Sequence, residues 1–341
     1  MLLYGGFDFV AVMKTLRREE SGVFEFGRDM EPVLHVEQGE SFNVEIWDSF
    51  KHELFDHGMG EFDESDVPTM NTPPPAFDAN PVSGPIHVEG VESGDTIAVH
   101  VEDIVPERGY TTTLEGFGNL AGKEGWDGCK HNEAHEVDLQ PGPSGTTADG
   151  TAHLELGGRE WEWDLNPHIG TIATAPGRTV QDPLTTQGPW GGNMDVRDLG
   201  RGSTVCLSTY NDGGLLFVGD VHASQSDSEY TGFAVEALAE ITLSVEVVDH
   251  DVPGVFRIED DDSIIHVDSA KNAGSPYFAL DNCFEAMMTE LIEEHGFDTR
   301  EAYIQMSVNP NVTVRTYQFV QPGYFTFGVK LDKAMLDQAS G

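Results

Sequence analysis

The residue pattern predicts a mainly β chain with an α+β C-terminal region. Period-two alternation of apolar and polar residues recurs from Val33 to Asp249, clusters of Gly, Pro and Asp separate the alternating runs, and clear helical spacing appears only after Tyr277.

Val33–Trp47 alternates around a Gly39-Glu40 turn and reads as a hairpin of two half-buried strands. Asp48–Gly84 follows without any period, rich in Gly, Pro, Asp and His and with three prolines at Pro73–Pro75; a loop of this length in a compact domain is often functional. Pro85–Glu107 repeats the strand, turn, strand pattern around Gly94-Asp95, with Ile86, Val88, Ile97, Val99 and Val101 as inward candidates, and the two hairpins are expected in one β-sandwich. Tyr110–Gly158 is polar and Gly-rich, which suits loops and short strands over the core. Pro167–Gly177 is a short apolar strand stopped by Pro176-Gly177. Gly202–Glu229 holds a strand, an Asp212-Gly213-Gly214 turn, a second strand and a polar loop, and Thr231–Asp249 continues as β-structure. Tyr277–His295 is the first helix, with Phe278, Cys283, Met287 and Leu291 as its inner face and Gly296 as C-cap; Asp298 caps a second helix, with Glu301 at the capping-box position. The last element is a hairpin around Pro322-Gly323. The expected division is an undetermined segment 1–31, a β-sandwich region 32–160, a β-rich region 161–250 carrying the site, and the α+β region 251–341.

At 341 residues the chain is long enough for two or more lobes sharing a sizeable core. Its hydrophobic fraction is only 38%, but 19 Phe, 8 Tyr and 5 Trp are too many for a disordered chain. Lys and Arg number 18 against 60 Asp and Glu, a net charge of −42 spread along the whole sequence. Such a shell repels itself at ordinary ionic strength and is relieved when molar salt shortens the screening length to about 3 Å, so the expected setting is the high-salt cytosol of an extreme halophile. An acidic block for a basic partner would be more local, and nucleic acid is excluded because phosphate binding needs concentrated Lys and Arg. Only three cysteines occur, Cys129, Cys206 and Cys283, with no paired spacing to suggest a disulfide framework or a Cys-rich zinc site, which points to a reducing compartment. No apolar run reaches membrane-spanning length, and the start lacks a signal peptide's basic region and cleavage site. Leu2–Val12 resembles translated upstream sequence, which makes Met13 a second candidate start beside Met1.

The densest group of ligand-type side chains runs from Asp220 to Glu229. Asp220 and His222 stand two apart on a predicted strand and so face one side, Asp227 and Glu229 repeat the spacing, and Gln225 offers an amide. Gly188, Gly191 and Gly192 precede Asn193 and Asp195, which lets backbone approach a ligand closely. Zinc enzymes commonly use three protein ligands and leave a position for water; the spacing alone does not say which three residues these would be, and a single Asp-x-His also suits an ordinary strand edge. No nucleophile elbow, zinc-binding helix or phosphate loop is present. Cys206 and Cys283 read as core residues, Cys129 as an exposed thiol near Lys130 and His131, and His52 and His57 as loop histidines.

Several segments, in order, resemble the acetamidase/formamidase family: Asn80–Ile104, Pro167–Gly177, Gly191–Leu207, Gly219–Gly232 and Glu301–Val314. The Gly-Gly-Asn-Met-Asp run ending at Asp195 and the Asp-x-His-x-x-Gln run from Asp220 are the specific ones. Departures are Ser226 and Ser228, where glycines are usual, and Trp190, where a histidine is common. The resemblance implies a jelly-roll-like β-sandwich, a smaller β-barrel-like part, homodimers or higher oligomers, and hydrolysis of small aliphatic amides to carboxylate and ammonia. On that basis Asp195, Asp220 and His222 are expected to hold a divalent metal, zinc first and calcium as the alternative. Glu229, or else Glu89, is expected to move the proton, and Asn193, Gln225 and Trp190 to position substrate. Two other readings stay open: a larger or cyclic amide or a carbamoyl compound as substrate, suggested by Trp190 and the loop Lys51–Phe77, and a non-catalytic cation- or sugar-binding jelly roll.

Overall fold

A computed structural model of the chain describes residues 13–67, 79–129, 131–249, 252, 256–321 and 323–339. Met1, Leu2–Val12, Pro73–Pro75, Lys130 and Pro322 lie outside the described residues. The first half contributes strands β1 (Lys14–Leu16), β2 (Leu34–Val36), β3 (Phe42–Ile46), β4 (Gly60–Glu61), β5 (Val82–Val88), β6 (Thr96–Thr113), β7 (Glu133–Gln140), β8 (Thr151–Leu156) and β9 (Arg159–Asp164). The second half adds β10 (His168–Thr174), β11 (Gln187–Gly188), β12 (Gly191–Asn193), β13 (Thr204–Ser208), β14 (Leu216–Ser224), β15 (Val235–Val248), β16 (Phe256–Glu259), β17 (Ser263–Ser269), β18 (Val312–Val320) and β19 (Tyr324–Asp332).

These strands form a curled, largely antiparallel sheet in two runs. One is β18-β19-β17-β16-β13-β6-β15-β3-β1, parallel only at its β3–β1 end. The other is β12-β10-β14-β5-β2, parallel only at β5–β2. Strands from 32–160 and 161–250 therefore pair with one another at β6–β13, β6–β15, β3–β15 and β5–β14, while β7, β8 and β9 extend from β6 and, among the described residues, pair only within the first half. Val44, Ile104, Val205 and Ile241 of the first run pack with Ile86, Ile169 and Val218 of the second in one buried cluster, each such side chain contributing roughly 1.5–3 kcal/mol of transfer free energy. All five inward candidates, Ile86, Val88, Ile97, Val99 and Val101, are buried.

Two of the expected hairpins are corrected. The Gly39 and Gly94 turns exist, but β2 goes to β5 while β3 goes to β15, and β5 goes to β14 while β6 goes to β13 and β15. Each turn is a corner between the two runs. Alternation reports that a strand has an inner face; it does not say whether a turn returns the chain to the same sheet or carries it to the opposite one. The last turn does make a hairpin, β18 with β19.

The C-terminal part is α+β. Helices α1 (Glu53–His57), α2 (Ala270–Ala273), α3 (Pro276–Thr289), α4 (Thr299–Val308) and α5 (Ala334–Ala339) are present, and α3 packs its Cys283 and Met287 against Ile264 of β17 and Val329 and Leu331 of β19. Ser275 caps α3 by accepting from Phe278 N, and Asp298 caps α4. Phe278 is not on the inner face as expected but 54% exposed: five residues before Cys283 it is turned roughly 140° away at about 100° per residue. After Thr289 one wider turn, Glu290–Glu294, precedes the left-handed Gly296. Among the described residues no helix is long and apolar enough to cross a membrane.

Candidate active site

Strand β14 changes neighbours part-way along. Leu216–Gly219 pairs with β5, whereas His222 and Ser224 pair with Glu236 and Val235 of β15. Asp220 stands at the change-over with φ of +55°, a left-handed conformation that Asp tolerates better than most residues. The kink turns the Asp220 and His222 side chains into one cavity, and β15 sets Glu236 directly opposite His222. From the other side, β12 ends at Asn193, and Asp195, with φ of +47°, hangs from β10 by the hydrogen bond of its N–H to Gly170 O. The loop after β14 is fixed to β18 by Ser228 N to Thr316 O and Phe319 N to Ser228 O, and it delivers Glu229 with φ of +45°. Four of the non-glycine residues with positive φ, Asn80, Asp195, Asp220 and Glu229, line this cavity. Backbone strain concentrated in this way is common at functional sites.

The result is four buried carboxylates, Asp195, Asp220, Glu229 and Glu236, around the buried His222. Ligand atoms of Asp195, Asp220 and His222 lie within 4.8 Å of one another, and so do those of His222, Glu229 and Glu236. His222 Nε2 is 3.5 Å from Asp220 Oδ1 and 3.5 Å from Glu236 Oε2. No Lys or Arg among the described residues is ion-paired with any of the four acids. Room for the two aspartates comes from Gly170: a Cβ there would fall 2.7 Å from Asp195 Oδ1 and 2.9 Å from Asp220 Oδ2.

Gln225 fixes the imidazole. Its Nε2 donates to Asp195 O and Tyr317 O, 3.0 Å each, so its Oε1 is the atom facing His222 Nδ1 at 2.9 Å. Nδ1 therefore carries a proton and Nε2 points its lone pair, or a second proton, at the carboxylates. Behind it His168 Nε2 also meets Gln225 Oε1, and burial together with the His222 charge lowers His168 to a pKa of about 4. Gln318 donates to Asp195 Oδ2 and accepts from Thr326, and Thr171 donates to Asp220 Oδ2 at 3.2 Å.

Electrostatically the cluster is uncompensated. Burial, then repulsion from Asp220, raises Asp195 to about 7, and burial, then repulsion from Asp195, lifts Glu229 well above the carboxylate range. Burial opposes a charge on His222, but Glu236 and Asp220 outweigh it and hold its pKa well above the usual value. Asp195 Oδ1 and Asp220 Oδ1 are buried without any hydrogen-bond partner. Acceptor-only oxygens without donors, beside an imidazole nitrogen whose tautomer is fixed, are what a divalent cation would satisfy, so the residues fit a metal.

The cavity above them has a volume of 560 Å³ and is walled by Phe50, Leu114, Phe117, Leu184, Phe233 and Tyr324, with Lys271 among its lining residues. A more open groove of 970 Å³ contains Arg197, Arg315 and Lys330, but these are ion-paired with Asp198 and Asp227, and the carboxylate cluster does not line it. The sequence profile of the acetamidase/formamidase family matches residues 11–188 and 164–328. The chain belongs to the acetamidase/formamidase family.

Among its relatives, an acetamidase from Mycolicibacterium smegmatis is 28% identical over 270 residues, 64% of each chain. A Schizosaccharomyces pombe protein whose name proposes a formamidase is 25% identical over 218 residues, 49% of this chain and 51% of that one. The chain thus spans between half and two thirds of the length of these relatives. The crystal structure of an acetamidase from Yersinia enterocolitica superposes with a TM-score of 0.78 at 27% identity, over 96% of this chain and 94% of that one.

For this family member the structure brings Asn193, Asp195, Asp220, His222 and Glu229 together at one cavity. It does not bring Glu89 there. Val82 pairs with Gly219 beside the cluster, but β5 then runs away from it, and seven residues on, about 20 Å at strand rise, Glu89 sits at the surface beside His35 and His87. Trp190 is likewise corrected: its ring lies over Gly188 and packs with the Phe26–Phe217 cluster, outside the cavity. Gln225 positions His222 and does not line the cavity. Gly191 and Gly192 serve close approach of neighbouring strands, a Cβ on them meeting Ile172 O at 2.3 Å and Thr186 O at 2.2 Å. Asp227 faces outward to Arg197 and Arg315. His52 and His57, expected in a loop, instead stand at the two ends of the short helix α1, His52 as its N-cap and His57 as its last residue, near Asp56 and Asp66. Cys206 and Cys283 are buried, Cys129 is partly exposed, and all three are free thiols. Ser228, standing where glycines are usual, has φ of +79°. Glu236 and Gln318 were not identified from sequence; a carboxylate inside the apolar run Phe233–Leu238 was the available sign of the first.

Proposed function

We propose that the chain hydrolyses the carbon–nitrogen bond of small amides of the formamide or acetamide type to a carboxylate and ammonia. The observation that carries this reading is the convergence of Asp195, Asp220, His222 and Glu229 on the floor of one cavity in a member of this family. Asp195, Asp220 and His222 would hold a divalent cation, and the imidazole nitrogen in the set favours zinc over calcium. Bound there, such a cation supplies Lewis-acid polarisation and a water acidified towards neutral pH. Glu229 takes the proton of the attacking water and passes it to the departing nitrogen, which cannot leave as an anion. Gln225 keeps His222 Nε2 aimed at the site. Asn193 gives one N–H to Leu184 O and keeps its second for the substrate carbonyl.

The test is ammonia release from formamide and acetamide before and after exhaustive chelation, in roughly 2–4 M KCl, where screening is shortest. Full activity of the chelated enzyme removes the metal from this reading; no turnover of any amide, with metal still bound, favours a binding module.

A second reading is favoured by the cavity itself. At about 30 Å³ per water-sized group, 560 Å³ exceeds what a four-heavy-atom amide fills several-fold, and Phe50, Phe117, Phe233 and Tyr324 offer an apolar wall to a larger acyl group. In a panel of amides, kcat/KM rising from acetamide to longer or cyclic amides supports this reading and a steady fall excludes it. The exposed acidic shell fits a high-salt cytosol: dialysis to low salt is expected to unfold or dissociate the protein, and an unchanged far-UV circular dichroism spectrum speaks against that. Tyr277, Phe278, Tyr303, Ile304 and Val308, exposed on α3 and α4, suit a homo-oligomer, which light scattering measures directly.

A further inference from the structure

Glu89, at the far end of β5 from the cavity, belongs to a different constellation. Strands β2 and β5 run parallel with His35 directly opposite His87, so both imidazoles leave the same face of the sheet. Glu89 stands two residues beyond His87 and returns to that face. Its Oε1 is 3.2 Å from His35 Nδ1 and its Oε2 is 3.7 Å from His87 Nε2. The two rings are 4.7 Å apart between centroids, and the ligand atoms of all three residues lie within 4.8 Å of one another.

We infer that His35, His87 and Glu89 form a second metal site, selective for transition-series divalent cations such as Zn²⁺, Ni²⁺ or Cu²⁺, which fastens β2 to β5. Two imidazole nitrogens and one carboxylate favour these ions over Ca²⁺ or Mg²⁺. Two ligands bound tetrahedrally at 2.0–2.1 Å stand about 3.3 Å from each other, and the 3.2 and 3.7 Å separations need little adjustment to reach that.

The site is held by backbone. Gly213, with φ of +78°, lies flat against the His87 ring, a Cβ there falling 2.0 Å from Nδ1, and Val88 N donates to Gly213 O at 2.9 Å. That shelf leaves Nε2 as the atom turned to Glu89. Glu89 is fixed in turn by its N–H to Val36 O and by Gln38 Nε2 to its carbonyl. The partial exposure of the three side chains leaves room for water to complete the coordination. The strand β2 has only three residues and, among the described residues, pairs with β5 alone, so a cross-strand clamp has most effect here. The general negative charge of the surface draws cations to it.

The experiment compares metal uptake by the chelated wild type with that of His35→Gln, His87→Gln and Glu89→Ala, using Zn²⁺ alone in competition with a chromophoric chelator. The wild type is expected to bind one equivalent more than each variant, and Zn²⁺ is expected to raise its thermal midpoint by an increment that the variants lack. Equal uptake and equal midpoint shifts in all four proteins overturn the proposal and leave a hydrogen-bonded surface trio. The buried cluster is identical in all four, so its own metal content cancels from the comparison. Three independent substitutions guard against one that fails to fold.

Discussion

Two buried groups of acids and histidine in this chain are wired in opposite ways. At Glu290 the carboxylate receives two hydrogen bonds from Arg257, at 2.9 and 2.8 Å, and has His266 Nε2 at 3.3 Å. Burial alone would raise its pKa, but the hydrogen bonds of His266 and Arg257 outweigh burial and hold it well below the carboxylate range. At Asp195, Asp220, Glu229 and Glu236 no fixed cation answers the charge, and Asp195 and Glu229 are pushed up instead. The first group is complete and ties the turn after α3 to β16 and β17. The second is complete only when protons or a cation arrive from outside, which is the physical difference between a structural ion pair and a site.

This contrast can be broken by substitution. Glu229→Gln removes the proton carrier and is expected to lower kcat/KM by about 10²–10⁴-fold. Because it also removes one of four mutually repelling acids, the thermal midpoint of the metal-free protein should stay level or rise. Arg257→Ala is expected to do the reverse. Leaving Glu290 buried without its arginine partner costs about 3–5 kcal/mol, visible in denaturant unfolding, while turnover per folded molecule is retained. A smaller effect is expected for Gln225→Met, which takes away the acceptor that orients His222: about 10–100-fold weaker metal binding, measured by competition with a chelator. If Glu229→Gln destabilises or Arg257→Ala abolishes turnover, the distinction between the two groups fails.

A pH series sharpens it further. Glu290 is depressed in the folded state, so its contribution is present above the unfolded carboxylate pKa near 4.3 and is lost as pH falls. Asp195 and His222 are raised, so their contribution is present at low pH and is lost as pH rises, from about 4 towards 7 for Asp195 and above about 6.5 for His222. The chelated protein should therefore lose thermal stability on both sides of about pH 4. Added Zn²⁺ should flatten the high-pH limb and leave the acid limb in place. A high-pH limb unchanged by metal separates the raised pKa values from the metal site.

How much of this was legible in the residues depends on the range of the interaction. Asp220 and His222 share a face because strand periodicity is local, and the helix cap Asp298 follows from its neighbours in sequence. Glu236 enters through the pairing of β15 with β14, and Gln318 through β18, 123 residues from the Asp195 it meets; no local spacing encodes either. Glu89 was misplaced for the same reason, since a carboxylate near the family's segment says nothing about which end of β5 faces the cavity. Trp190 was misplaced because its neighbour Gly188 offers it a flat resting place. The turns at Gly39 and Gly94 were seen, but their destinations belong to the whole sheet.

Gly170 shows what a catalogue of reactive side chains leaves out. Its φ is ordinary and it donates no functional group, yet a single methyl there would meet Asp195 Oδ1, Asp220 Oδ2 and, at 2.6 Å, the Asp220 carbonyl oxygen. Anyone transplanting these acids and His222 onto another barrel or sandwich would have to carry over an emptiness along with them, and an alanine at that one address would undo the graft while every named ligand remained in place.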